Sequence, residues 1–292
     1  MIVTLQNDKL TVTVDTLGAQ QLSVTSAEGI EYLWYGDPKH WKGRAPHLFP
    51  TVGKLRNFKA TSAKGELNMP QHGFARTSEF EVEAVSDTSV TMRLKASEET
   101  LAKYPYRFEF RVIHTLCDNA VSTTYRITNA DTEPMPFGIG GHPGFRLPLV
   151  EGDCFEDYAI EFEYPETADC PMVDAARGLI MQNDRNRMLT NSNRFPLYHT
   201  MFRGDALIFD DIRSRKVRLV SNKSGRGVEM AYPDFPVMAF WTPVQDAPFL
   251  CLEPWTSMAT GEDEDDVFEH KQNIQTAAVG ETKVYTYTVT VF

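Results

Sequence analysis

A period of two runs through this chain. Apolar and polar residues alternate in Leu10-Thr11-Val12-Thr13-Val14-Asp15 and again, at greater length, from Thr282 to Phe292. That is the pattern of strands with one face in a core and the other in water. Shorter runs of the same kind, bounded by Gly, Pro, Asn and Asp, predict strands at Ile2–Leu5, Gln21–Thr25, Glu31–Trp34, Phe80–Val85, Ser89–Leu94, Arg107–Leu116 and Val121–Thr128. Later runs predict more at Met135–Gly140, Ala206–Phe209, Lys216–Ser221, Val228–Tyr232, Val237–Trp241 and Phe249–Glu253. Only Glu98–Lys103 and Val267–Lys271 read as short helices. The strand–helix alternation of a parallel α/β sheet is missing, and so is a Gly-rich phosphate loop. The expectation is an all-β, antiparallel architecture: two large packed sheets forming one wide sandwich, with few short helices, in a single domain over residues 1–292. From Pro148 to Pro196 the periods blur, and that stretch is expected to form loops over a site.

Composition narrows the class of function. A hydrophobic fraction of 42% with 24% charged residues is that of an ordinary globular protein. The net charge of −11 and the lack of a Lys/Arg cluster argue against nucleic acid as a partner, since phosphate affinity rests on such clusters. The first residues lack a basic stretch followed by an apolar one, and no apolar run approaches the ~18 residues of a membrane span. Cys117, Cys154, Cys170 and Cys251 show no CxxC or His-rich spacing, which speaks against a structural zinc site and a dense disulfide scaffold. These readings predict a cytoplasmic protein with no membrane partner, a monomer or a homodimer. The acidic run Glu262-Asp263-Glu264-Asp265-Asp266 is expected to be a solvated face.

Within this frame one stretch carries chemistry. Gly140-Gly141-His142-Pro143-Gly144-Phe145 sets an imidazole among residues chosen for backbone shape. Glycine admits positive φ and close approach, and Pro143 pushes His142 towards an extended conformation. An imidazole so displayed exchanges protons near neutrality; the plain alternative is a histidine that only closes a turn. A second histidine, His72, sits on a similar turn in Met69-Pro70-Gln71-His72-Gly73-Phe74-Ala75-Arg76. Glu253 ends the apolar run Ala247-Pro248-Phe249-Leu250-Cys251-Leu252 and precedes Pro254-Trp255, so a carboxylate falls where the pattern asks for a core side chain. Burial there raises its pKa and makes it a better base, unless an arginine at the sandwich rim pairs with it. Arg44 and Asp205 also stand at loop or strand ends, where a surface charge and a turn carboxylate are the alternatives.

Taken together, Pro70-Gln71-His72-Gly73-Phe74-Ala75-Arg76, the Gly141–Phe145 turn and Leu252-Glu253-Pro254-Trp255 resemble the aldose 1-epimerase (galactose mutarotase-like) superfamily. Arg44-Ala45-Pro46-His47-Leu48-Phe49-Pro50-Thr51-Val52-Gly53 resembles its LacX-type branch. The resemblance implies a β-supersandwich that binds a pyranose in an open cleft and interconverts its α and β anomers without a cofactor or metal. It implies Glu253 as base, His142 as acid, and His72 as a hydrogen-bonding partner on the ring-oxygen side of the sugar. Arg44 and Asp205 are implied as sugar-binding residues, Asp205 with Asp210 and Asp211 as competitors for the role. Arg76 is left between sugar contact and support, with support the favoured reading. Trp41, Phe74, Trp241 and Trp255 are aromatic candidates for stacking on a sugar face, each with a core position as its alternative. Two other functions stay open: a mutarotase for hexose 6-phosphates, using Lys42, Lys54 or Arg56 for the phosphate, and a carbohydrate-binding protein without turnover.

Overall fold

The computed structural model describes residues 1–244 and 246–292. The alternating runs build a nine-stranded antiparallel sheet, in spatial order Leu179–Pro196, Tyr158–Asp174, Lys216–Ser221, Gly227–Ala231, Thr282–Val291, Ala120–Asn129, Phe108–Cys117, Ser89–Lys95 and Glu81–Val85. Burial alternates residue by residue along its central strands, as a sheet with one covered face requires. A second sheet runs Leu207–Phe209, Val237–Trp241, Phe249–Trp255, Gly140–Gly141 and His47–Leu48, with Gly144–Arg146 also paired to Phe249–Trp255. Ile2–Gln6, Leu10–Asp15 and Gln21–Ser26 form a separate three-stranded sheet. The all-β antiparallel expectation is met.

The main core lies between the two large sheets. Phe110, Val112, Tyr125 and Leu219 of the nine-stranded sheet pack in one cluster with Phe240, Leu250 and Leu252 of the smaller one. Trp255, Val237, Ala239 and Ile208 belong to a different cluster, on the other side of the smaller sheet. The strand Phe249–Trp255 is therefore buried on both faces along its whole length. Leu250 and Leu252 point into the main core, and the period of two sends Cys251, Glu253 and Trp255 the other way. This explains how a carboxylate ends up in an apolar run.

Several expectations need correction. The stretch 148–196 is not loop: Tyr158–Asp174 and Leu179–Pro196 form a long hairpin, whose tip residues Val173, Ala175, Gly178 and Ile180 line the cavity described below. Its register shifts between Glu161 and Glu166, at Ala168 and between Pro171 and Met172, and each shift resets the alternation that would have revealed a strand. Glu31–Trp34 makes only isolated bridges, Thr25 to Glu31 and Leu33 to Phe145. The helix expected at Val267–Lys271 is a 3-10 turn, Phe268–His270. The acidic run is not simply solvated: Asp266 holds Arg56 at 3.0 Å, Glu264 holds the buried Lys271 at 3.1 Å and Asp265 holds His270 at 2.8 Å. Among the described residues no helix is long and apolar enough to cross a membrane.

Candidate active site

The second face of the smaller sheet floors a cavity of about 380 Å³, within the size range of small-molecule sites. His142 reaches it from the end of the Gly140–Gly141 strand. Its N–H donates to the Pro46 carbonyl at 3.1 Å, and the Pro143 carbonyl accepts from Leu252 N–H at 3.1 Å, so the turn is held on two sides. The glycines here serve close approach and not positive φ: a Cβ on Gly140 would stand 2.7 Å from the Trp255 ring and 3.0 Å from the Pro254 carbonyl. Glu253 enters from the neighbouring strand. His142 Nε2 lies 3.2 Å from Glu253 Oε2, and both side chains are nearly sealed, with 8% and 1% of their residue surfaces exposed.

The electrostatics follow from that burial. Loss of solvent pushes His142 down to about 3, with the Arg76 cation acting in the same direction. Burial pushes Glu253 well above the usual carboxylate range, and the Asp205 charge adds to the rise. Both shifts favour an uncharged pair, a protonated carboxyl beside a neutral imidazole. His142 Nδ1 and Trp255 Nε1 are buried without a hydrogen-bond partner, which costs about 1–3 kcal/mol per group in a closed core, and Glu253 Oε2 has none beyond the His142 ring. Orphaned polar atoms gathered beside a cavity are groups a ligand would satisfy.

His72 sits in the left-handed region, φ 66°, and exchanges bonds with Gly53: its N–H donates to the Gly53 carbonyl at 2.8 Å, and Gly53 N–H donates to its Nδ1 at 3.1 Å. Because a backbone N–H can only donate, Nδ1 is the bare nitrogen and the ring proton sits on Nε2. Gln71, 3.3 Å away, must then turn its amide oxygen to that N–H. Burial, aided by His142 and Arg76, holds the His72 pKa well below its ordinary value. His72 is thus a fixed neutral donor. Gly73, φ 72°, follows with the Phe49 carbonyl 2.1 Å from where a Cβ would be, so no other residue fits there.

Asp205 lines the cavity at φ 87°, its carboxylate accepting from Ala206 N–H at 2.8 Å and its pKa raised by burial. Asp210, by contrast, is paired with Arg185, and both Asp210 and Asp211 line a different groove. Arg44 is not among the residues lining the cavity; its guanidinium donates to the Leu22 carbonyl at 2.8 Å. The arginine in the cavity is Arg76, on the 3-10 turn after His72, with its pKa lowered by burial. Among the described residues no carboxylate pairs with Arg76 or with Lys54, whose ammonium stands 4.7 Å over the Phe58 ring. Arg56 is spent on Asp266 and Lys42 is exposed outside the cavity. Trp41 stacks on His142 at 4.8 Å, Trp241 meets it edge-on at 5.7 Å, and Trp255 lines the same space, whereas Phe74 is core. Sequence reasoning left Arg76 undecided; its place four residues after His72, on the same turn, was the available signal.

Comparison with known proteins bears on this arrangement. A family model described as Aldose 1-epimerase matches residues 1–262. Over 100% of its length the chain is 38% identical to the plasmid-encoded protein LacX of Lactococcus lactis subsp. lactis, 99% of which is covered. A galactose mutarotase related enzyme from Lactobacillus acidophilus superposes with a TM-score of 0.95 at 33% identity, over 100% of this chain and 97% of that one. A galactose mutarotase-like protein from Lactobacillus casei superposes with a TM-score of 0.90 at 28% identity, over the whole of both chains.

Proposed function

The chain belongs to the aldose 1-epimerase family, and from that premise we propose that it is a mutarotase, interconverting the α and β anomers of a free aldohexose. The observation that carries this reading is the Glu253–His142 pair, 3.2 Å apart at the floor of a cavity that also holds His72, Arg76 and Asp205. Mutarotation moves a proton off the anomeric hydroxyl and another onto the ring oxygen. Glu253 takes the first and His142 gives the second, the bond from C1 to the ring oxygen breaks, and an aldehyde forms. Rotation about the bond from C1 to C2 presents the other face. On reclosure Glu253 returns its proton to the carbonyl oxygen while His142 removes the one on the attacking hydroxyl.

One proton shared by two groups is enough for both directions. With the proton on the imidazole the pair is set for ring opening, and with the proton on the carboxyl it is set for reclosure. The separation is short enough for the proton to pass between these two states directly. His72 Nε2–H and Arg76 supply donors to sugar oxygens, and Asp205 accepts from a hydroxyl. Trp41, Trp241 and Trp255 offer apolar faces to the pyranose ring. General acid and base catalysis supplies about 10² to 10⁴-fold for each group.

A second reading is favoured by Lys54 and Arg76, two cavity cations that no carboxylate neutralises among the described residues. They suit a phosphate on the sugar's far end. Polarimetry or NMR exchange of fresh α-glucose, α-galactose and α-glucose 6-phosphate, in a weakly catalytic buffer, tests both. Faster equilibration of a free sugar supports the first reading. Acceleration confined to the phosphate, with KM rising steeply with salt and in Lys54→Ala, moves the substrate to the phosphorylated class. No acceleration of any of the three defeats both.

A further inference from the structure

The strand that presents Glu253 to the cavity also presents Cys251, two residues earlier and on the same face. His142 approaches both from the adjoining segment, where Gly144 pairs directly with Cys251. One ligand atom from each residue, an imidazole nitrogen, the thiol sulfur and a carboxylate oxygen, falls within a group whose members all lie within 4.8 Å of one another. All three side chains are buried, and Glu253 Oε2 has no partner beyond the His142 ring. Spacing in the sequence shows no CxxC or His-rich ligand pattern, because this set is assembled across strands.

The donor types are those of a zinc site, and one edge of the set already has the spacing a tetrahedral ion requires. Bonds of about 2.0 to 2.1 Å to nitrogen and oxygen and about 2.3 Å to sulfur, at tetrahedral angles, give edges of about 3.4 Å between N and O and about 3.6 Å to S. The His142 Nε2 to Glu253 Oε2 distance, 3.2 Å, already matches the first edge. An N, S, O set selects zinc and its later transition-metal neighbours over magnesium and calcium, which take oxygen. A thiolate and a carboxylate together cancel the two charges of the ion, as a buried site demands. His142 and Glu253 line the cavity and Cys251 does not, so two of the three ligands border the space from which a fourth could come.

We propose that His142, Cys251 and Glu253 form a zinc site whose open position faces the sugar cavity. On binding, the Cys251 thiol gives its proton to solvent, any proton on Glu253 follows it, and the freed lone pairs bond to the metal with no change of oxidation state. Occupancy takes up the lone pairs that mutarotation needs, a consequence that rests on the function proposed above.

The test is titration of the full-length, metal-free chain with Co²⁺, followed by Zn²⁺. The expected result is one Co²⁺ per chain, with a thiolate-to-cobalt charge-transfer band and tetrahedral d–d absorption, both lost as zinc displaces it. Cys251→Ala is expected to lose the charge-transfer band; if that variant unfolds, Cys251→Ser gives the same reading. Glu253→Gln is expected to keep the band and need more metal to reach it. No band in the parent overturns the site, and so does a band that survives in Cys251→Ala, which would place it on exposed Cys117 or Cys154. In the mutarotation assay zinc is expected to slow equilibration in proportion to spectroscopic occupancy, and an unaltered rate at full occupancy overturns the blocking role. A parent without mutarotase activity counts against the proposed function and leaves the spectroscopic result standing.

Discussion

Two pairs of buried histidines lie in this protein, and their ring centroids are equally far apart: 5.6 Å between His47 and His114, and 5.6 Å between His72 and His142. Burial depresses all four imidazoles, His47 to about 3, His114 to about 4 and His142 to about 3, with His72 also well below its ordinary value. What separates the pairs is their partners. His47 has the Tyr125 hydroxyl at 2.8 Å on Nδ1 and donates from Nε2 to the Ala19 carbonyl at 3.0 Å. His114 donates to that same carbonyl at 2.8 Å, and its Nδ1 meets the Gln21 amide at 3.0 Å and Thr123 at 3.2 Å. In the other pair His72 is bonded at both nitrogens, to Gly53 and Gln71, but His142 Nδ1 has no hydrogen-bond partner and Nε2 faces a carboxyl oxygen that is otherwise unpartnered. Burial and a low pKa therefore do not mark the working histidine in this molecule; an unfilled polar valence beside a cavity does.

Glu253→Gln is the strongest way to break that distinction. The amide keeps the shape and removes the proton acceptor, so mutarotation is expected to fall by about 10² to 10⁴-fold. Stability should hold or rise, because a carboxyl that folding keeps protonated and the unfolded chain ionises is replaced by a group neutral in both states. Polarimetry beside thermal unfolding checks both, and a parent-like rate would remove Glu253 from the chemistry.

Acid sharpens the comparison, because for proton linkage the two pairs count alike. A histidine kept neutral by folding refuses a proton that the unfolded chain accepts below its ordinary 6.5, so stability falls as pH drops through that window. Each such group contributes about 1.4 kcal/mol per pH unit. For His114 the loss runs from about 6.5 down to about 4. Glu253 has the opposite sign: its raised pKa means the folded chain keeps a proton the unfolded chain releases, which offsets part of the loss above 4.5. His114→Gln is expected to flatten the stability–pH slope by about 1.4 kcal/mol per unit while leaving mutarotation per folded molecule intact. His142→Asn should flatten the slope in the same sense and also lose about 10²-fold or more in rate. Denaturant unfolding at several pH values checks the slopes, and equal activity losses in the two variants would erase the difference between the pairs.

Much of this was legible in the sequence, and the exceptions have physical causes. Strands with one wet face, such as Phe108–Cys117, announce themselves by alternation. Phe249–Trp255, covered on both faces, does not alternate in burial, and Glu253 stood out there only because it was charged. The 158–196 hairpin was hidden by bulges that shift its register. Arg44 was expected in the site and is bonded to the Leu22 carbonyl, while Arg76 points into the cavity. Local sequence gives no hint that Arg44 finds a carbonyl. Nor does it separate His47 from His142: both stand beside proline in turn-rich stretches, and only the fold decides which ring is fully bonded.

The smallest effect tests whether the two pairs are independent. The Tyr125 hydroxyl stands 2.8 Å from His47 Nδ1 and 3.3 Å from the Gly140 carbonyl, two residues before His142. It has one proton to give. Donated to His47, it leaves the Gly140–Gly141 strand held by its backbone pairing to Leu48 and Trp255. Tyr125→Phe then strips a donor from a buried imidazole, at a cost of about 1–2 kcal/mol in stability, with mutarotation unchanged. Donated to Gly140 instead, with the His47 proton on Nδ1 and given to the phenol oxygen, the hydroxyl tethers the segment that aims His142. The same variant would then lower kcat while KM stays put, because the acid is misplaced and the sugar contacts at His72, Arg76 and Asp205 are not. A stability loss alone keeps the pairs separate; a kcat loss joins the bonded pair to the working one through a single hydroxyl.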